Sequence, residues 1–515
     1  MPTIRSAALT SGLVALCLSI APGCALDNKG GANAGEAFTL PQEGDPWFES
    51  AAEKFKTMQA MRKPDGTAKN VILFIGDGMS VATVTAARIL EGQQRGEPGE
   101  SNALSFESFP YIALSKTYNT NFQTPDSAGT ATAMVSGVKT KISIISLDDT
   151  VEISKCGTGA PVMTMMELAE KAGLATGVVT TTRLTHATPA TNYAHSPQRD
   201  WESDAQVSRA KDGGDCADIA SQLIDFPYGN GPEVAMGGGR RMFLPETIAD
   251  PEMPTIKGYR KDGRDLTAEW IASADKAAYV WNAKGLQDLD LKKTSRVLGL
   301  FQPSHMNYEL DRTSDKGGEP SLAEMTGAAI DVLSNNKDGF YLMVEGGRID
   351  HAHHATNAAR ALTDTIAFSD AVRTALEKVD LDETLIIVTA DHAHTISISG
   401  YSARGNPILG KARMIPGGDD KKGTDGKPYT TLTYANGPSA KKEGARDDLT
   451  DVDTTAPDFH QPSLVPLNSE THSGEDVAIY SIGPGSNWLT GVVEQNYIFH
   501  VMEGALELQE KAGGK

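Results

Sequence analysis

Four short apolar runs occur along this 515-residue chain, and they strongly restrict the folds that it can adopt. They cover residues 70–77, 175–181, 339–345 and 384–391. Continuous apolar runs of this length are typical of strands buried on both faces. Helical patterns alternate with them, at 163–172, 216–224, 321–335 and 355–379. The alternation predicts an α/β fold with a central, mostly parallel sheet flanked by helices on both faces.

The alternation is interrupted twice. Residues 233–320 carry glycine, proline and charged residues with only short strand-like segments, and residues 400–468 are rich in the same types. We interpret both stretches as lobes inserted at the edge of the sheet. A helical pattern over 46–62 begins with proline and follows Asp45, which suits an N-cap. The sequence therefore predicts one domain over 46–515 that contains two inserted lobes.

The N-terminus has the pattern of an export signal. Arg5 precedes an apolar stretch, 7–20, that is too short to span a bilayer. The small residues before Cys24 resemble a bacterial lipoprotein cleavage site, at which Cys24 would be lipidated, but they also depart from it, so simple cleavage is an equal alternative. We expect a signal peptide at 1–23, a polar tether at 24–45, and a location in the periplasm or at the cell surface.

The charge balance limits the partners. The formal net charge is −20 and the isoelectric point is about 5.0. A nucleic acid would be repelled by such a chain, so no nucleic-acid-binding surface is expected. A small anionic ligand would need local positive charge, either from bound metal ions or from a well-placed arginine.

Two cysteines remain once the signal peptide and Cys24 are set aside. Cys156 and Cys216 lie in no Cys-x-x-Cys pair and near no histidine at zinc-finger spacing. In an exported protein such a pair favours a single disulfide. The alternative is two unrelated buried thiols.

Histidines and carboxylates concentrate at the ends of the predicted strands. Six of the 11 histidines fall in three clusters, which is hard to explain by core filling. In Asp350-His-Ala-His-His354, the carboxylate and the last imidazole share one helix face and could bind one zinc ion. Asp391 and His392 follow another strand, and His472 forms the third cluster. A polar surface turn explains any one cluster but not their combination.

Ser127 is the candidate nucleophile. It follows Asp126 and precedes a run of small residues that suits a helix packed tightly against a strand. At a helix start, Ser127 would meet anions with free backbone N–H groups and the positive end of the helix dipole. The alternative is that Asp126 or Ser127 is only an N-cap.

These motifs together resemble the alkaline phosphatases, and most closely the animal-type members. The resemblance extends from about Asp45 to Met502, and several motifs agree in order, spacing and identity. They are Gly76-Asp77-Gly78, Asp126-Ser127-Ala128, Val344-Glu345-Gly-Gly-Arg-Ile-Asp350, Thr389-Ala-Asp391-His392 and Glu470-Thr-His472.

The resemblance implies two zinc ions and one magnesium ion. The first zinc would be held by Asp350, His354 and His472. The second would be held by Asp77, Asp391 and His392, with Ser127 beside it. Magnesium would be held by Asp77, Thr188 and Glu345.

The resemblance also assigns roles to three further features. Arg199 would bind phosphate oxygens with its planar guanidinium. His186 would tune the site rather than ligate a metal. Cys156 and Cys216 match a pair that is disulfide-bonded in animal members.

The activity that the resemblance implies is hydrolysis of phosphate monoesters through a phosphoserine, with release of inorganic phosphate. A homodimer is expected, formed through the crown-like insert at 400–468 and the 46–62 helix. The positions that match a calcium site in animal members are Glu252, Phe301 (through its backbone), Gln302 and Glu319. Gln302 replaces an acidic ligand, and the segment before Glu319 is two residues longer, so calcium is not a firm expectation.

Three alternatives were weighed against this function. A phosphodiesterase of the same superfamily fits the metal clusters, although Arg199 suits a terminal phosphate. A sulfatase needs a Cys/Ser-x-Pro-x-Arg motif, and Ser127 is followed by Ala-Gly-Thr-Ala instead. A non-enzymatic surface lipoprotein that stores zinc or phosphate would have no use for Ser127 and Arg199. A lipid on Cys24 would be the only membrane attachment.

Overall fold

The computed structural model of the chain describes residues 38–61, 66–211, 214 and 216–513. The predicted signal peptide and Cys24 lie outside these residues. The chain is packed against the domain from its first described residues: Leu40 is buried, and the Gln42 amide donates to the carbonyls of Ser136 and Met163, both at 3.0 Å. The part of the predicted tether from 38 to 45 therefore belongs to the folded domain, because its buried groups pack against the domain.

The strands are numbered in chain order. They are β1 (Asn70–Ile75), β2 (Tyr111–Lys116), β3 (Ala175–Arg183), β4 (Val234–Gly238), β5 (Ala277–Val280), β6 (Arg296–Leu300), β7 (Phe340–Glu345), β8 (Thr384–Thr389), β9 (Ala393–His394), β10 (Ile396–Ile398), β11 (Leu432–Gly437), β12 (Ser463–Pro466), β13 (His472–Ser473), β14 (Val477–Ile482) and β15 (Gly491–Glu494).

Ten of these strands form the central sheet, in the order β15-β2-β14-β8-β1-β7-β3-β4-β6-β5. All pairings in it are parallel except those of β14, which runs antiparallel to β2 and β8. The predicted α/β architecture with a mostly parallel sheet is confirmed. The stretch 233–320 supplies β4, β5 and β6, which extend one edge of the sheet itself.

The helices are likewise numbered in chain order. They are α1 (Pro46–Met61), α2 (Val81–Gln94), α3 (Ser127–Ser136), α4 (Met165–Ala172), α5 (Ala187–Ala190), α6 (Asp204–Val207), α7 (Ile219–Ile224), α8 (Arg240–Phe243), α9 (Leu266–Ala272), α10 (Ala283–Gln287), α11 (Glu309–Arg312), α12 (Leu322–Leu333), α13 (Arg348–His354), α14 (Ala358–Lys378), α15 (Tyr497–Leu506) and α16 (Leu508–Gly513). Within the described ranges, no helix combines the length and the apolar composition that a bilayer crossing requires.

The core lies on both faces of the sheet, and β1 illustrates why its sequence is apolar throughout. Val71 and Leu73 pack into one hydrophobic cluster, whereas Ile72 and Phe74 pack into the other. Because successive side chains of a strand point to opposite faces, a strand covered on both sides has no face open to solvent and is mostly apolar. The continuous apolar runs of the sequence are therefore the central strands.

In the part of the chain that the structure describes, two small sheets lie outside the central one. The insert at 400–468 contributes to a three-stranded sheet in the order β10-β11-β12. β9 and β13 form an antiparallel pair in which His394 lies opposite His472. This pair brings two histidine clusters of the sequence, which are far apart along the chain, to one place.

A disulfide joins Cys156 and Cys216, whose Cα atoms lie 5.7 Å apart. The predicted bridge is confirmed, and the alternative of two unrelated thiols is wrong. The bridge ties the loop after α3 to the segment before α7.

Candidate active site

The candidate site lies at the carboxyl ends of three neighbouring central strands. β8, β1 and β7 are adjacent, and Ile75 at the end of β1 is in register with Glu345 on one side and Thr389 on the other. Asp77 follows β1, Glu345 is the last residue of β7 and is followed by α13, and Asp391 follows β8. Parallel strands therefore deliver these carboxylates to one edge, where ligands bind in open α/β sheets.

Ser127 is the first residue of α3 and is 2% exposed. Its Oγ lies 3.1 Å from His392 Nε2 and 3.4 Å from Asp77 Oδ1. The side chain of Asp126 caps the helix by accepting from the N–H of Gly129. The cap and the nucleophile candidate are thus different residues, so Ser127 Oγ is left free to face the site.

The first group of metal-capable side chains surrounds His392, which is completely buried. Its Nε2 lies 3.4 Å from Asp77 Oδ1 and 3.4 Å from Asp391 Oδ2. Burial holds the pKa of His392 well below its usual value, and nearby His472 lowers it further, so the imidazole is neutral. His392 Nε2 thus faces two carboxylates and Ser127 Oγ, a set of donor atoms that suits a bound cation.

The second group joins α13 to β13. His354 Nδ1 donates to the carbonyl of Glu470 at 2.6 Å, and His472 Nδ1 donates to that of Pro125 at 2.8 Å. Because both Nδ1 atoms donate to carbonyls, the Nε2 atoms are turned toward Asp350 and can serve as metal ligands when the imidazoles are neutral. These two atoms lie 3.2 Å apart, and each lies 3.3 Å from Asp350 Oδ1. Backbone-oriented imidazoles facing a carboxylate are the donor set that zinc prefers.

His394 and Glu470 support this second group, and sequence analysis gave neither a role. Buried His394 lies between two carboxylates, with Nε2 2.6 Å from Asp350 Oδ1 and Nδ1 2.5 Å from Glu470 Oε2. Despite burial, Glu470 and Asp350 raise the pKa of His394 to about 10. His394 therefore contacts both carboxylates and orients Asp350. The alternation of His392 and His394 in an extended segment was the available signal, because residues i and i+2 share a face.

The third group consists of buried oxygen atoms without hydrogen-bond partners. They are Asp77 Oδ2, Thr188 Oγ1 and Glu345 Oε1. The other oxygen of Glu345 accepts from the hydroxyls of Thr180 and Thr182. Burial raises the pKa of Glu345 to about 7, and Asp391 adds to the rise. An all-oxygen set suits magnesium.

His186 is also close enough to Asp77 and Glu345 to complete a metal-binding group. Its Nε2, however, accepts from Arg199 Nη2 at 3.2 Å. Burial keeps its pKa well below the usual value, so the imidazole is neutral and its single proton is on Nδ1. Neither nitrogen then offers a free lone pair to a metal, which favours a tuning role for His186.

Arg199 approaches the site from the segment after α5. Its Nη1 donates to Asp126 Oδ2 at 3.0 Å, and 19% of its side chain is exposed. The same Asp126 oxygen accepts from the N–H of Ser143 at 2.9 Å. The capping carboxylate of α3 therefore also orients the guanidinium beside Ser127.

The charges of the site fit bound cations. Burial raises the pKa of Asp77 well above its usual value, and Asp391, Asp350 and Glu345 raise it further. Arg199 compensates only in part. Buried carboxylates this close together need added positive charge, and the free lone pairs of the three groups point to metal ions as its source.

Three of the four positions that match a calcium site make contacts with other protein groups. Gln302 donates to Asp315 at 2.9 Å, Glu319 accepts from the N–H of Asn307 at 3.1 Å, and Glu252 accepts from Arg240 at 3.1 Å. Among the described residues, neither Glu252 nor Glu319 belongs to a group of side chains that could close around one ion. The Phe301 position precedes Gln302 at the end of β6.

Fold and site together define a class. Imidazoles, carboxylates and a buried serine meet at the carboxyl edge of a parallel sheet, beside an arginine that can bind an anion. This is the arrangement of a metal-dependent α/β enzyme.

A family model described as alkaline phosphatase matches residues 68–508, and the chain belongs to this family. It is 44% identical to the alkaline phosphatase of Gadus morhua over 90% of this chain and 96% of the relative. It is 43% identical to the tissue-nonspecific isozyme of Homo sapiens, over 90% of this chain and 88% of the relative. The resemblance to this family is confirmed.

Solved structures agree. The alkaline phosphatase of Thermus thermophilus superposes with a TM-score of 0.62 at 26% identity, over 88% of this chain and 96% of that one. The enzyme of the Antarctic bacterium TAB5 gives 0.58 at 23% identity, over 86% and 98%, and supports the fold alone. The protein is thus a metal-binding hydrolase whose family acts on phosphate monoesters. The interpretation as a storage lipoprotein is set aside.

Proposed function

We propose that this enzyme hydrolyses phosphate monoesters through a phosphoserine at Ser127, with two zinc ions and one magnesium ion bound. The observation that carries the proposal is the position of Ser127 Oγ. It lies within 3.4 Å of both His392 Nε2 and Asp77 Oδ1, among groups that fit a bound cation.

The ligand sets follow from the three groups. Asp350, His354 and His472 would hold one zinc ion, and Asp77, Asp391 and His392 the other. Asp77, Thr188 and Glu345 would hold magnesium, with Asp77 shared. Bound at these places, the ions would supply Lewis-acid stabilisation to the attacking and leaving oxygens of an in-line displacement.

In the first half-reaction Arg199 would bind two non-bridging oxygens of the phosphate, because a planar guanidinium matches them in a way that lysine does not. Ser127 Oγ would attack phosphorus, and its proton would pass to solvent as the P–O bond forms. The bond to the leaving alcohol oxygen would break, and that oxygen would take up a proton from solvent. The free N–H groups at the start of α3 would favour the negative charge of the phosphoryl group.

In the second half-reaction a water molecule would attack the phosphoserine from the side that the alcohol left. The Ser127 Oγ–P bond would break, and inorganic phosphate would be released. Arg199 would hold the same two oxygens throughout, because Asp126 fixes its position. The net reaction is ester plus water giving alcohol plus phosphate.

Metal removal tests the proposed cofactors. Elemental analysis should find about two zinc ions and one magnesium ion for each chain. A chelator should abolish activity, and zinc with magnesium should restore it. Full activity in a sample that elemental analysis finds metal-free would contradict the ligand sets.

A phosphodiesterase of the same superfamily remains the competing hypothesis for the substrate. Arg199 favours a terminal phosphate, because a monoester has one more non-bridging oxygen than a diester and so keeps an oxygen for the metal ions when Arg199 binds two. The ratio of monoester to diester turnover, measured on one preparation, separates the two activities. Faster turnover of diesters would overturn the monoester assignment.

A further inference from the structure

Arg199 lies in a short segment, 196–200, that is fastened to two loops. The backbone of Ser196 pairs with that of Ile145 through two hydrogen bonds of 2.9 Å. The N–H of Arg199 donates to the carbonyl of Ser143, also at 2.9 Å. Ser143 therefore binds both the backbone of Arg199 and, through its N–H, the carboxylate of Asp126 that orients the guanidinium.

The second loop meets the segment at Gln198. The side-chain amide of Gln198 donates to Ser154 Oγ at 2.9 Å, and its carbonyl oxygen accepts from the N–H of Asp200 at 3.3 Å. The N–H of Ser154 in turn donates to the carbonyl of Pro197 at 2.8 Å. The side chain of Gln198, which precedes Arg199, thus contacts both Asp200, which follows Arg199, and Ser154 on the neighbouring loop.

Ser154 is held in an unusual backbone conformation. Its φ is +63°, in the left-handed region that non-glycine residues rarely adopt. The loop is anchored two residues later by the disulfide between Cys156 and Cys216. A serine kept in a costly conformation, with both its N–H and its hydroxyl bound to the Arg199 segment, indicates a constraint on that segment.

We propose that Gln198 and Ser154 form a clasp that positions Arg199 for phosphate. Both are positioning residues, since they act through the arginine. The inference rests on the proposed role of Arg199 in binding phosphate. Without the clasp, the backbone around Arg199 gains freedom that must be lost again when phosphate binds, so affinity falls.

The test uses two variants of the metal-loaded enzyme and measures the inhibition constant of inorganic phosphate. Gln198→Met keeps the length of the side chain but removes both hydrogen bonds, and Ser154→Gly removes the hydroxyl. Each should raise the inhibition constant roughly three- to tenfold, and KM for a monoester in parallel. The zinc content should not change.

Ser154→Gly also separates positioning from stability. Glycine adopts positive φ readily, so this variant should unfold at the same temperature as the parent or higher. A purely structural role for Ser154 predicts unchanged phosphate affinity. Matched controls are Gln287→Met, on exposed α10, and Lys276→Gly, at another positive φ (+60°). Both should leave the inhibition constant unchanged.

A double-mutant cycle with Arg199→Ala shows whether the clasp acts through the arginine. In that background Gln198→Met and Ser154→Gly should have no further effect on phosphate affinity. Additive losses would overturn the clasp, as would single variants that bind phosphate like the parent. If Arg199→Ala itself leaves phosphate affinity unchanged, the proposed role of Arg199 fails, which is a distinct outcome.

Discussion

At the scale of single residues, the site is defined by atoms that the protein itself leaves without partners. Imidazoles oriented through Nδ1 present their Nε2 lone pairs, and buried carboxylate oxygens face one another without donors. Such an arrangement is costly in the absence of cations, because buried polar groups normally find partners. Ser127 lies among these buried groups, beside Asp77 and His392, so its hydroxyl is the group to test first.

Ser127→Ala should keep its metals and lose most of its activity. The substitution removes the atom that attacks phosphorus but none of the proposed ligands, so monoester turnover should fall on the order of 10³-fold or more. Activity assays combined with elemental analysis measure both effects.

Ser136→Ala is the matched control, because Ser136 is a buried serine at the other end of α3 whose hydroxyl bonds only within the helix region. It should keep full activity and lose about 1 kcal/mol of stability at most. Unchanged turnover in Ser127→Ala would rule out the serine route.

Sequence reasoning reached some of these residues and missed others for a physical reason. Asp350 and His354 share a helix face, so their spacing alone placed them together. The support that Glu470 and His394 give to Asp350 depends on pairing between β9 and β13, which are far apart in the chain. The alternation of His392 and His394 places both on one face, but no local pattern identifies β13 as the partner strand.

At the scale of elements, charged groups are also buried away from the site. Glu170 on α4 is 2% exposed, and its Oε1 accepts from Thr176 Oγ1 at 2.6 Å. Burial raises the pKa of Glu170 to about 8, and Glu233 beside β4 adds to the rise. The folded protein therefore keeps a proton that the unfolded chain, with its ordinary carboxyl pKa of 4.5, releases.

This proton links stability to pH. Because the folded pKa is raised, the contribution of Glu170 is fully present below about pH 4.5 and is lost as the pH rises to about 8. Glu170→Gln imitates the protonated side chain and should avoid the loss. The unfolding temperature of Glu170→Gln should exceed that of the parent, and the difference should grow from about pH 5 to pH 9. At the upper end, the free energy of unfolding should differ by on the order of 1–4 kcal/mol. Exposed Glu97→Gln is the control, and parallel pH profiles of parent and Glu170→Gln would contradict the assignment.

The disulfide between Cys156 and Cys216 is a second feature at this scale that affects stability. It closes a loop over a sequence separation of 60 residues, so it restricts the unfolded chain strongly. Replacing both Cys156 and Cys216 by serine should lower the stability by roughly 2–5 kcal/mol, seen as a lower unfolding temperature. An unchanged unfolding temperature, or free thiols at both positions in the purified protein, would remove this role.

At the scale of the whole molecule, the apolar runs of the sequence predict the central strands well, because a sheet covered on both faces has no solvent-facing side and its strands are mostly apolar. The sequence did not predict that the stretch 233–320 contributes strands to the central sheet. The strands of 233–320 are short and interrupted by loops, so their place in the main sheet depends on neighbouring strands that the local pattern does not identify.

The homodimer, the export signal and the lipid on Cys24 stay predictions from the sequence. The net charge of −20 makes local positive charge at the site the decisive attraction for phosphate.

The most direct measurement is a search for the phosphoenzyme. The metal-loaded enzyme is mixed with a monoester, quenched with denaturant during turnover, digested, and examined by mass spectrometry. The account predicts phosphate on the peptide that contains Ser127, at Ser127 itself, and none in Ser127→Ala. Phosphate on another residue, or turnover with no phosphoenzyme under conditions where its hydrolysis limits the rate, would contradict it.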